Sequence, residues 1–448
     1  MKKYDSYIKS PIPWFSNIPE HWEIGRLKHL LYERKENNNP IKTTEILSLT
    51  NKRGVIPYSQ KGNVGNKSKD RIEDYHLAYP NDLVVNNMNV IIGSSGVSQY
   101  YGAISPVYYA LVSRGEVNIG YCGYIFRLQT FFESLKGLGN GILEHRKRIP
   151  ITKLNNVLLP VPPRAEQDQI VHFLDWKVSS INKLIKTKKW QINSYKELAK
   201  AKIESQLNNY PIEKNVLLKN LGMFFKGGGF SRKDLIEDNK YPAILYGDIY
   251  TQYEYKTSTI NHFIDSDTYT ASRKIINGDI VMAGTGETKE EIGKPILYTG
   301  NQMVAVGGDI IVFRPYKMGN AEYLLYQLYS QAALKHRYIN GKGDIIVHIY
   351  PTTLGNTPIS LPSDSDQMKA VEKINKIISQ TNKTTALLIE EITTLKEFKT
   401  RLISDVVTGQ IDVRNIEIPE YEYVDEELES DSDDVDGDFD SEDISEEA

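Results

Sequence analysis

Two stretches of this 448-residue chain mix basic and aromatic side chains in a way suited to gripping a polyanion. In the first, Lys52, Arg53, Lys61, Lys67, Lys69 and Arg71 fall in a Gly- and Asn-rich run close to Tyr58, and Tyr100 and Tyr101 follow in a later loop. In the second, Lys226, Arg232 and Lys233 precede Tyr246 and Tyr250, and Arg273, Lys274 and Lys289 extend the set. Lys and Arg neutralise phosphates, while Arg, Asn and Gln pair with base edges in a major groove. Any one of these residues has a simpler account as a solvated surface charge. Taken together they point to DNA, because polar loops on a rigid scaffold commonly carry recognition.

Other chemistry finds less support. Asp279, followed by Glu287 and Lys289, has the spacing of a magnesium-binding acid pair with a lysine. The competing account is a strand that begins at Asp279 and ends in a polar loop. Asp82 has the same strand context without a matching Glu and Lys, which favours the loop. The one Pro-Pro, Pro162-Pro163, lies between Val161 and Arg164 and lacks the polar and aromatic flanks of an amine-gripping methyltransferase loop. Gly284-Thr-Gly286 and Gly341-Lys-Gly343 are lone glycine pairs that suit turns, and no phosphate loop ending in Gly-Lys-Ser/Thr occurs. The eight histidines show no ligand spacing, and His145 before Arg146-Lys-Arg148 suits a surface. With Cys122 the single cysteine, no intrachain disulfide or cysteine-based zinc cage can form. The expectation is a chain with no catalytic residues and no metal of its own.

A net charge of −4 conceals two opposite parts. From Glu417 onward there are 17 Asp and Glu and no Lys or Arg. Setting those aside (58 − 17) leaves 41 acids against 54 Lys and Arg, a body of +13. Such a body suits a polyanion partner. The tail is too acidic and too poor in apolar residues to fold by itself. No run of about 18 apolar residues occurs, and MKKYDSYIKS has no apolar stretch behind its charges. A cytoplasmic protein is expected.

The elements that must position the basic loops emerge from self-comparison. Residues 151–205 align without a gap on residues 351–405, a spacing of 200. Thr152, Leu154, Asn156, Pro162, Gln167, Val171, Ser179, Asn182, Lys183, Ile192, Lys196, Glu197 and Ile203 each meet their own type. Each copy opens with a Pro-punctuated apolar stretch, passes a polar acid-containing turn, and continues for about 40 residues without Pro or Gly. Ala165 to Leu207 as one helix would be on the order of 65 Å long. Heptad seams run through both copies: Val178, Ile181, Ile185, Lys188, Ile192, Tyr195 and Ala199, then Ile378, Thr381, Thr385, Leu388, Ile392, Leu395, Lys399 and Leu402. Polar members weaken each seam alone, so the helices are expected to pack on each other.

The intervals between the helices also look related. Pro80-Asn-Asp-Leu-Val-Val85 resembles Asn277-Gly-Asp-Ile-Val-Met282, and Ile92-Gly93 recurs as Ile292-Gly293. The expected fold is α+β, with two globular α/β domains separated by two long antiparallel coiled-coil helices in a pseudo-two-fold repeat. The boundaries are an N-terminal segment 1–20, a first domain 21–158, a central helix region 159–208, a second domain 209–358, a distal helix region 359–412 and an acidic disordered tail 413–448.

The chain resembles the specificity subunit of type I restriction–modification systems. The likeness is carried by Ile12-Pro-Trp-Phe-Ser-Asn-Ile-Pro-Glu-His-Trp22 with Gly25-Arg-Leu-Lys28, and by Glu166-Gln167 after the Pro-rich stretch. It continues in Gly227-Gly-Gly-Phe-Ser-Arg-Lys233, Tyr241-Pro-Ala-Ile-Leu-Tyr-Gly-Asp-Ile-Tyr250 and Glu397-Phe-Lys-Thr-Arg-Leu-Ile-Ser-Asp-Val-Val-Thr-Gly-Gln410, covering roughly residues 10 to 412. The resemblance implies a non-catalytic DNA-binding subunit whose two target-recognition domains each read half of a bipartite, asymmetric site. The helices would set the spacing. Two methyltransferase subunits and two restriction/translocase subunits would be the partners, and they would bring S-adenosylmethionine, ATP and magnesium. The acidic tail and Ser363-Asp-Ser-Asp366, which replaces the first copy's Pro163 and Glu166, depart from the pattern. A magnesium-dependent nuclease and a coiled-coil protein scaffold are the competing classes.

Overall fold

The computed structural model describes residues 2–51, 53–61, 71–139 and 148–426. They divide into two compact units, 1–189 with 389–448 and 190–388.

In the first unit, β1 (Leu31–Glu33), β2 (Leu83–Asn86), β3 (Ser95–Val97) and β4 (Tyr108–Ser113) form an antiparallel sheet in the order β1-β4-β2-β3. All four residues of β2 are buried, and Val84 joins Ala110 and the hairpin residues Leu47, Leu49 and Val55 in one core. Helices α1 (Ile119–Phe126) and α2 (Gln129–Ser134) follow. Asn118 caps α1, accepting from the backbone N–H of Gly120 and Tyr121. The cap is held by the long helix α3 (Arg164–Leu207), whose Gln167 and Asp168 accept from the Asn118 backbone and side-chain amides at 2.7 Å each.

In the second unit, β5 (Gly222–Lys226), β6 (Lys256–Thr257), β7 (Ile280–Ala283), β8 (Pro295–Tyr298) and β9 (Ile310–Pro315) form a sheet in the order β5-β9-β7-β8-β6. Side chains on a strand alternate between faces. Val281, Ala283, Ile310 and Val312 accordingly pack toward a second five-stranded sheet that contains Pro242–Ile244 and Val304–Val306. Ile280, Met282, Ile311 and Phe313 pack against the helices. A strand buried on both faces reads as an unbroken apolar run, which is why β7 and β9 stand out in the sequence. Helices α4 (Ala321–Leu328) and α5 (Gln331–Asn340) come next, and the second long helix, α6 (Asp364–Val407), follows them.

The helices α3 and α6, 44 residues each, contribute one half to each unit. Within the first unit the halves run antiparallel: Lys399 Nζ lies 3.3 Å from Asn182 Oδ1, and Lys188 pairs with Glu391. Within the second, Ile203 and Leu207 share a core with Ala370 and Ile374. The seam expected from the heptads is buried at Ile181, Ile185, Ala199, Ile392 and Leu402, but Tyr195 is exposed.

The fold is α+β with an internal repeat, and its fine details are duplicated. Glu23–Arg26 pairs with Leu158–Val161, and Lys214–Leu217 pairs with Pro358–Leu361. Gln167 Nε2 donates to the Pro162 carbonyl at 2.8 Å, and Gln367 Nε2 to that of Pro362 at 2.9 Å. Gly93 and Gly293 both adopt a left-handed backbone (φ +85° and +70°), and each packs against the second helix of its unit, at Phe132 and Arg337. Tyr124 donates to Asp175 at 2.7 Å in the first unit, and Tyr326 to Asn375 at 2.7 Å in the second.

One expectation needs correction. The acidic tail is not disordered from residue 413 onward: 413–426 lies against the first unit, with Val413 fully buried. Its order comes from hydrogen bonds supplied by α3 and not from an apolar core of its own. The remainder of the tail lies outside the described residues.

Candidate nucleic-acid interface

In the first unit, Arg53 lies in the turn between Leu47–Thr50 and Gly54–Pro57, and its side chain reaches along the surface. Its guanidinium donates to the Gln60 carbonyl at 2.8 Å, which limits its freedom. Arg71 is exposed, 3.6 Å from Asp74. Tyr101 packs against Tyr79 with the rings tilted (centroids 4.8 Å apart), and Arg34 lies over Tyr79 at 4.3 Å. Tyr100 is oriented by Ser98, whose hydroxyl donates to its carbonyl and accepts from its N–H. Lys61 departs from expectation. The turn at Tyr58–Gln60 folds it back so that it is buried, 5.5 Å from the Tyr58 ring. Lys52, Lys67 and Lys69 lie outside the described residues, as does His145.

The second unit brings Lys226, Arg273 and Lys274 together around Phe225. Arg273 lies 6.0 Å from that ring and donates to the Lys226 carbonyl, and Arg314 covers the ring at 5.2 Å and reaches the Lys274 carbonyl. Lys226 Nζ lies 5.4 Å from the ring of Tyr350, a residue the sequence did not single out. Arg232 and Lys233 are exposed on a turn fixed by Ser231 and Asp234, whose carboxylate accepts from the Ser231 N–H at 2.7 Å. Gly227 brings the preceding loop close to the sheet: a Cβ there would meet the Gly307 carbonyl at 2.3 Å. Tyr246 is exposed.

Tyr250 and Lys289 do not join this group. Tyr250 is half-buried, its hydroxyl donating to the Thr285 carbonyl at 3.0 Å, and burial pushes its pKa up. It positions the 284–294 loop. Arg337, also absent from the sequence reading, does the same from beneath. This guanidinium is almost fully buried with no carboxylate partner among the described residues, donates to the carbonyls of Ile292 and Leu328, and is pushed down to about 10 by desolvation. Lys289, on that loop, lies 4.0 Å from Asp344. Beside it, Thr285–Gly286 pairs with Val347–His348, and the adjoining Ile345 and Ile346 are 89% and 54% exposed.

The nuclease-like spacing resolves differently. Asp279 is buried, accepts from Arg314 at 2.8 and 2.6 Å and from the Ile276 N–H at 2.9 Å. Asp82 is its counterpart, bonded to Arg34 at 2.8 and 3.0 Å and to the Tyr79 N–H at 2.9 Å. Both aspartates tie a turn to a sheet. Among the described residues, no group of three or more His, Cys, Asp or Glu is placed to hold a metal ion. Also among them, no helix is long and apolar enough to cross a membrane.

Exposed arginines with restrained guanidiniums, aromatic faces and a basic loop cluster suit phosphate neutralisation and base-edge pairing. Residues 213–394 match the family model of the type I restriction modification DNA specificity domain. That stretch of the chain is thus similar to a type I DNA specificity domain. The matched stretch holds the whole β5–β9 sheet, the basic cluster around Phe225 and most of α6. A solved structure gives the same fold. A chain from a study of complex assembly and conformational transition of the type I R-M system is 14% identical, with a TM-score of 0.64 over 88% of this chain and 99% of its own length. The HsdS subunit from Thermoanaerobacter tengcongensis is 14% identical over 88% of this chain and 98% of its own, with a TM-score of 0.47. No curated protein matches the sequence. The match over residues 213–394 bears out the resemblance to type I specificity subunits read from the sequence.

Proposed function

We propose that the chain is the non-catalytic specificity subunit of a type I complex and that each unit reads one half of a bipartite, asymmetric DNA site. The observation that carries this is a shared framework with unlike loops. The Gln167 and Gln367 bonds, the Asp82 and Asp279 anchors and the Gly93 and Gly293 turns occur in both units, while the basic loops differ between them. A common framework with unlike reading surfaces suits two different half-sites.

The helices α3 and α6 would set the distance between halves and receive two methyltransferase subunits. Exposed apolar side chains on them, Leu184 and Phe398 in the first unit and Leu198 and Leu387 in the second, support docking there. Two restriction/translocase subunits would join the complex. S-adenosylmethionine, ATP and magnesium would bind those partners. Within this chain, Arg53, Arg71, Tyr101, Lys226, Arg232, Lys233, Tyr246 and Arg273 are the proposed DNA-facing residues, with Tyr250 and Arg337 as positioning residues. Mapping genome-wide methylation in cells with and without the chain tests the reading. A split sequence modified only when the chain is present is the expected outcome, and an unchanged methylation map would refute it.

A further inference from the structure

The first unit shows how the paired helices hold an extended acidic segment. Residues 413–426 run along α3 in the direction of the helix. Gln169 Nε2 donates to the carbonyls of Val413 and Ile416 at 3.0 and 2.8 Å. Ser179 Oγ donates to the Glu422 carbonyl at 2.8 Å and accepts from the Val424 N–H at 2.7 Å. Asn182 Nδ2 donates to the Val424 carbonyl at 3.0 Å. Lys183 and Lys399 pair with Glu422 and Glu426 at 3.2 and 2.9 Å. The hydrogen bonds go to the strap's backbone and the ion pairs to its acids, so what is recognised is an extended acidic chain. Ser179 and Asn182 are buried beneath it.

The 200-residue repeat places the same types at the same spacing on α6: Ser379, Asn382 and Lys383. These three belong to the second unit, are exposed, and make no side-chain hydrogen bond or ion pair among the described residues. Their flank is preserved, since the Tyr326–Asn375 bond stands where Tyr124–Asp175 stands in the first unit. Lys376, two turns before Lys383 on the same face, is exposed as well and adds positive charge.

We propose that Ser379, Asn382 and Lys383 form a second, open cradle, which takes an extended acidic segment of a partner polypeptide. Ser379 and Asn382 would bond its backbone as Ser179 and Asn182 bond that of residues 422–424, and Lys383 would pair with its carboxylates. The occupied first cradle argues for this occupant, because three of its side chains recur unchanged. The proposal is independent of how DNA is read.

The test uses the full chain and a fluorescein-labelled peptide of residues 417–426, followed by anisotropy. One peptide is expected to bind per chain, with affinity falling at least about tenfold in Ser379→Ala with Asn382→Ala. These are exposed helix positions, so the fold should tolerate the change. Methylating the peptide's Val424 nitrogen should weaken binding comparably, and Ser179→Ala with Asn182→Ala should not. Binding unchanged by the Ser379 and Asn382 substitutions would overturn the proposal. So would no binding, or binding lost only in the Ser179 and Asn182 variant, which would mean exchange with the chain's own strap. Self-association abolished by the Ser379 and Asn382 substitutions without peptide capture would assign the site to a second copy and overturn it equally.

Discussion

Glu166 and Asp366 occupy the same place in the two copies of the repeat and do opposite things. Glu166 is buried and accepts from Tyr4 at 2.6 Å, His21 at 2.7 Å and Trp22 at 2.9 Å, all near the N-terminus. Around it, Gly409 fits under Trp22, and Arg414, bonded to Asp412, lies over Tyr4. Asp366 lies near the surface and is bonded to Ser363 and Lys369 close by on its own helix start. The first copy's helix start doubles as a socket that fastens the N-terminal segment, against which residues 409–414 pack. The second copy has no such duty, so Pro163 and Glu166 could be replaced there without loss. The departure from the family pattern at Ser363–Asp366 is thus relief from a structural constraint.

The largest effect is expected where the units agree. Arg34→Ala would leave Asp82, and Arg314→Ala would leave Asp279, as a buried unpaired carboxylate, at a cost of about 3–5 kcal/mol each. Chemical denaturation should show both variants similarly destabilised, although the arginines come from different strands, one just after β1 and one on β9. Next is the contrast itself. Glu166→Ala strands three donors and should cost about 3 kcal/mol, whereas Asp366→Ala should stay within about 0.5 kcal/mol. Equal losses would remove the socket from the account.

A smaller effect should separate surface from framework. Arg232→Ala with Lys233→Ala should weaken DNA binding and lower the salt slope by roughly one for each phosphate no longer neutralised, with the melting temperature unchanged. A shift in melting temperature alone would show that these residues are structural. The smallest concerns pH. The Arg414 hydrogen bond holds the Asp412 carboxyl below its usual range, so its stabilisation is present above the ordinary carboxylate pKa near 4 and is lost as pH falls through the depressed value. Denaturation at pH 7 and pH 3 should show a larger acid loss for the native chain than for Asp412→Asn.

Much of this framework was legible because it rests on spacing. The 200-residue period, the paired aspartates before β2 and β7 and the recurring Ile-Gly turns each left a local signature, and each corresponds to a backbone conformation or a buried strand. What escaped depends on distant partners. Arg337 reads as an ordinary helical surface charge, and its burial follows from the Ile292 and Leu328 carbonyls it serves. Tyr250 resembled an exposed aromatic, but the loop at Thr285 folds over it. The strap at 413–426 looked incapable of order since composition reports only what a segment can bury by itself. Gln169, Ser179 and Asn182 supply its hydrogen bonds from more than 240 residues away. Those residues were visible only as repeat identities or as helix surface.

The most direct test of two units reading two half-sites is selection from a random duplex library. The chain is combined with its methyltransferase partner, and Arg53→Ala and Arg232→Ala are run in parallel with the unaltered chain. A split consensus is expected for the unaltered chain. Each variant should lose roughly 1–3 kcal/mol of discrimination in one half only, and not the same half. A consensus without a gap, or two variants that relax the same positions, would contradict it.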